Sequence, residues 1–100
     1  MENSEYADLT PEQAMDAIRH YEKEFDYLLY ANKMTQEQAW EGYFCIFIEA
    51  KFRGFHEDCT RIYAKIDFTK YNPFSSSNPE VVMLARQALA FVEQNSNSNN

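Results

Sequence analysis

Glycine and proline are scarce, two and three in 100 residues, which excludes fibrous and low-complexity chains and leaves few points where the backbone can break. Basic residues are also short: nine Lys and Arg stand against 16 Asp and Glu, a net charge of −7. Direct binding to nucleic acid through phosphate contacts needs a basic patch, so that class is set aside. No apolar run exceeds the six residues Tyr43–Ile48, far short of the ~20 that span a bilayer. Met1–Glu5 has neither the positive start nor the apolar core of a signal peptide, so the chain is expected to be cytoplasmic, with no membrane partner. Two cysteines, Cys45 and Cys59, are too few for a disulfide scaffold and are expected as buried thiols.

What is present is hydrophobic material in helical spacing: 45% of the residues are hydrophobic and 16% are aromatic. The charge is uneven. Residues 1–50 hold 11 acidic and three basic residues, whereas residues 51–100 hold five and six, so the whole excess of negative charge is N-terminal.

Three helix starts are written chemically. Thr10-Pro11-Glu12-Gln13 and Thr35-Gln36-Glu37-Gln38 are capping boxes, in which a threonine hydroxyl and a glutamine three residues on satisfy orphan amides. Asn78-Pro79-Glu80 is the third start, and Gly54 is a stop. Ala14, Ile18, Tyr21, Phe25 and Leu28 form one apolar stripe; Ala39 to Phe52 is apolar nearly all round; Phe55, Cys59, Ile62, Tyr63 and Ile66 form a third stripe; Val81, Leu84, Ala85, Ala88, Leu89 and Val92 form the last. These patterns predict an all-α, single four-helix bundle-like domain over residues 1–94. Its helices cover about 11–31, 36–53, 55–69 and 79–94, mostly antiparallel, with the second helix central. Residues 95–100, all Asn or Ser, are expected to be a disordered tail.

The chemistry-bearing residues are few. Cys45, His56 and Cys59 are the one cluster of soft ligands, short of the four that a structural zinc site uses, and no orienting third group or oxyanion hole accompanies a Cys–His pair. No Glu-x-x-His pair and no glycine-rich phosphate loop occurs. No enzyme activity, cofactor or metal is therefore expected. Gly54 to Ile66, followed by Pro73, is similar to the second helix of a tetratricopeptide repeat at Cys59, Tyr63 and Ile66, but Phe47 and Ile48 stand where the preceding helix of that family has a small residue, and no ~34-residue period recurs. The similarity implies no more than a helical-hairpin interaction scaffold.

Binding is the remaining class. Glu12, Asp16, Lys23 and Asp26 lie on the charged side of the first helix together with Tyr27 and Tyr30, and tyrosine amid charge is enriched at interfaces. The expected function is a non-catalytic protein-binding domain, an adaptor or inhibitor, using this acidic, tyrosine-bearing face. One alternative is a small acidic phage-type inhibitor that mimics nucleic acid and blocks a nucleic-acid-binding enzyme. A second is a small metal or thiol site built on Cys45, His56 and Cys59. The partner would be a protein, in the mimic case one with a basic or nucleic-acid-binding surface.

Overall fold

The computed structural model describes residues 8–98, with side chains described to residue 94. Its elements are α1 (Pro11–Tyr30), α2 (Gln36–Arg53), α3 (His56–Tyr63), a short 3-10 turn (Pro73–Ser75) and α4 (Pro79–Ser98), with no strand among the described residues. The fold is all-helical, as the periodicity predicts. Both threonine capping boxes form: Gln13 N–H donates to the Thr10 hydroxyl and Gln38 N–H to the Thr35 hydroxyl, each at 3.1 Å, and each glutamine side chain accepts the cap amide in return. At the third start Glu80 N–H donates to Asn78 Oδ1 at 3.0 Å. The α4 helix runs past the expected end at 94; the tail expectation for 95–100 concerns residues with no described side chains, and residues 99 and 100 lie outside the described residues.

Gly54 ends α2 as expected. Its φ of +77° is left-handed, and the amides of Gly54 and Phe55 donate to Lys51 and Ala50 carbonyls, closing the last turn. The α2 helix touches α1, α3 and α4. Its buried residues include Tyr43, Phe44, Ile46 and Ile48, joined in the core by Ile18, Ile62, Ile66, Val81 and Ala85. Burying each such large side chain stabilises the fold by about 1.5–3 kcal/mol. Gly42 permits a close approach: a Cβ there would meet Phe25 Cε2 at 2.8 Å, so the Phe25 ring lies directly on the α2 backbone, edge-on to Tyr43.

The third helix differs from expectation. It ends at Tyr63, not near residue 69, because local bonds replace the helical ladder. Lys65 and Ile66 amides donate three residues back, to Ile62 and Tyr63, and Asp67 Oδ1 accepts both the amide and the hydroxyl of Thr69. Ile66 remains buried although it is no longer helical, which is why the apolar stripe continued past the helix. The helices α1 and α3 lie on one side of α2, and their cross-contacts, Arg19 to Asp58, Glu22 to Arg61 and Asp26 to Lys65, keep a constant separation of 39 residues, so the two run in parallel. On the other side, Ser76 bonds Glu41 at one end and Phe52 meets Phe91 at the other, so α4 runs in the same direction as α2.

Candidate functional site

Two surfaces compete for function, one charged and one apolar. The charged one joins α1 to α3. Glu22, 5% exposed, accepts from Arg61 at 2.6 Å and pairs with Lys65 at 2.8 Å; Asp58, 1% exposed, accepts from Arg19 at 3.0 Å and Arg61 at 2.6 Å. Asp26 accepts from Lys65 at 2.9 Å and from the Tyr43 hydroxyl. Burial raises the Glu22 carboxyl, but hydrogen bonds and charge from Arg61 and Lys65 outweigh it and hold the group below the ordinary range. Burial, with the Asp26 hydrogen bond and charge, pushes the Tyr43 phenol up. Three acids and three bases thus neutralise one another across the seam, and every buried side-chain polar atom among the described residues has a partner.

The residues expected as a binding face are on one side of α1, since the helix turns 100° per residue, but they share it unequally. Glu12, Asp16 and Lys23 are exposed, and Tyr27 and Tyr30 are 59% and 87% exposed. Asp26 is drawn to the seam by Lys65 and Tyr43 and is not a free carboxylate. All three carboxylates read from the sequence are exposed, but only Glu12 and Asp16 lie outside the seam.

Cys45, His56 and Cys59 do not gather: no group of three His, Cys, Asp or Glu able to hold a metal occurs among the described residues. Cys45 and Cys59 form no disulfide, and burial pushes the Cys59 thiol up, away from the reactive thiolate, with Lys51 opposing only in part. No helix among the described residues is long and apolar enough to cross a membrane.

The apolar surface was not visible in the sequence. Because α3 ends at Tyr63 and the chain continues through irregular backbone, α4 has no full-length helix opposite its second face. A groove of about 690 Å³ opens there, with α2 as floor, α4 as one wall and residues 68–74 as the other. Tyr63, Phe74, Leu89 and Val92 line it at 53%, 46%, 49% and 42% exposure, though Tyr63, Leu89 and Val92 read as core positions in the stripes. The Phe44, Phe68 and Tyr71 rings close its inner end in edge and tilted contacts, and Tyr71 is anchored by its hydroxyl to Glu41 at 3.1 Å. No protein-family model matches this chain, and no curated protein or solved structure is significantly similar to it.

Proposed function

We propose that the chain is a non-catalytic protein-binding domain whose principal binding site is the groove between α2, α4 and residues 68–74. The observation that carries this reading is the half-exposed aromatic and aliphatic lining, a continuous apolar surface of the kind soluble proteins cover with a partner. The internal pairing of Glu22, Asp26, Asp58, Arg19, Arg61 and Lys65 supports the same reading, because it commits these charged groups to structure. Affinity capture from the cells that make the protein tests it with three baits: wild type, Leu89→Asp/Val92→Asp and Tyr27→Ala/Tyr30→Ala. The partner is expected on the first and third and lost from the second. Capture indifferent to both variants would overturn it.

A second reading keeps the α1 face and is favoured by the exposure of Tyr27 and Tyr30 beside Glu12, Asp16 and Lys23. On that reading the domain is an adaptor, or an acidic inhibitor standing in for nucleic acid at a partner's basic site. Loss of capture from the tyrosine variant alone supports the face. Competition by DNA or RNA, abolished by charge reversal at Glu12 and Asp16, would select the mimic over the adaptor.

A further inference from the structure

We propose that the groove seats one α-helix of a protein partner, carrying large apolar side chains at i, i+3, i+4 and i+7 with a carboxylate placed against Lys51. This rests on the protein-binding reading and names the partner's chemistry. The floor of the groove is Phe44, Phe47, Ile48 and Lys51 of α2, and the α4 wall is Ala85, Ala88, Leu89 and Val92. Each set is spaced i, i+3, i+4, i+7. Because α2 and α4 run in the same direction, the two sets form a cradle about two helical turns long, roughly 10.5 Å, whose ridges a third helix can mesh with. The open volume of about 690 Å³ holds on the order of 20 waters, which an apolar helix face would displace.

The charge of the site selects the partner further. Lys51 is the one charged residue of the lining among the described residues, within a chain whose net charge is −7. Of the half-buried cations Lys51, Arg53 and Lys65, the last two hold carboxylates, Glu49 at 2.6 Å and Glu22 at 2.8 Å, whereas Lys51 makes no ion pair among the described residues. A cation held in an apolar wall without a counterion is stabilised by an acidic occupant. The described residues offer no strand edge, so an extended peptide has nothing to pair with. An acyl chain would leave the exposed rim residues Tyr63, Phe74 and Leu89 in water, whereas a helix covers rim and floor together.

The full chain should be titrated with two stapled amphipathic peptides that share one apolar stripe, flanked in one by Glu and in the other by Lys, reading anisotropy and amide chemical shifts. The Glu peptide is expected to bind more tightly, with shifts centred on Phe47, Leu89 and Val92. Lys51→Gln should weaken it about fivefold, and Lys51→Glu should reverse the preference. Circular dichroism of each variant verifies the fold. Binding of both peptides that is blind to Lys51 overturns the carboxylate assignment and leaves the groove a protein site. Inert peptides, with partner capture still dependent on Leu89 and Val92, overturn the helical occupant but not the protein-binding reading. If dodecanoate shifts the same amides while both peptides are inert, the site is a lipid site and both readings fall. A concentration-dependent dimer dissolved by Leu89→Asp would assign the groove to a second copy and overturn the partner helix.

Discussion

The two flanks of α2 are finished in opposite ways. On the α1–α3 side, polar groups meet polar groups and the surface is closed by six interlocked charges. On the α4 side, apolar groups stand half in water with none of the described residues over them. The first flank has satisfied its own chemistry and has little left to offer a ligand. The second has not, and an unsatisfied apolar surface is where association releases free energy. Charge is thus abundant where this domain holds itself together, and hydrophobicity is exposed on the flank for which binding is proposed.

The contrast can be broken first at the helix both flanks share. Phe44, 4% exposed, packs its ring against Phe47, Phe68 and Tyr71, so Phe44→Ala should cost about 3–5 kcal/mol in urea denaturation. Phe47, half-buried in the groove floor, should cost clearly less. A Phe44 loss below about 1 kcal/mol would show that α2 is not the common centre. Next is the charged flank: Asp58→Ala strips Arg19 of its partner and Arg61 of one of two. With both guanidinium groups more than two-fifths exposed, the loss should be about 2–3 kcal/mol, below the range for fully buried pairs.

Acid should loosen that flank selectively. Glu22 is held below its ordinary value of 4.5, so the folded state binds its proton more weakly than the unfolded state. Its contribution is complete above that value and disappears as pH falls through the lower folded value. Lys65 behaves oppositely: burial lowers it, but its bonds to Glu22 and Asp26 raise it overall above its ordinary value of 10.5, so its contribution is present below that pH and is lost as pH rises through the folded value. Glu22→Gln should flatten the acid limb of the stability–pH profile, and an unchanged slope would remove Glu22 from the seam. On the open flank the sign of the effect differs. Leu89→Asp should change stability by less than about 1 kcal/mol while abolishing peptide binding, because the side chain it replaces is half in water already. Smallest of all, Tyr30→Ala should stay within about 0.5 kcal/mol, and a larger loss would mean that this 87% exposed ring has an internal role.

The elements whose ends are marked by side-chain chemistry were legible. Thr10, Thr35 and Asn78 announce helix starts and Gly54 a stop, so α1, α2 and the start of α4 follow from local hydrogen bonding alone. The third helix was overextended because Ile62 and Ile66 keep helical spacing and both are buried, while the backbone between them is closed by three-residue bonds from the Lys65 and Ile66 amides and then turns at Asp67–Thr69. Apolar spacing reports burial, not the hydrogen-bond ladder. The groove was hidden for a related reason: Leu89 and Val92 continue the α4 stripe, and a stripe says that a face needs a cover without saying whether the same chain supplies it. The i, i+4 pair Glu49–Arg53 was readable, at 2.6 Å. The seam was not. Glu22 follows Ala14 and Ile18 at steps of four, a visible irregularity in an otherwise apolar line, but its partners Arg61 and Lys65 are 39 and 43 residues away and only the fold brings them near.

The order of signs along that seam has a consequence for how the chain finds its alignment. Residues 19, 22 and 26 read plus, minus, minus, and the facing residues 58, 61 and 65 read minus, plus, plus. Sliding α3 by one turn in one direction sets Arg19 against Arg61; sliding it the other way sets Glu22 against Asp58. Either error sets one like-charged pair side by side and leaves only one opposite pair, Glu22 with Lys65 or Asp26 with Arg61, in place of the three native ones. Parallel helices with smooth apolar faces could settle at several offsets of nearly equal energy. Here only the native offset pairs all three positions with opposite signs, so misaligned α1–α3 pairings should be short-lived during folding even though each ion pair adds little to the stability of the finished domain.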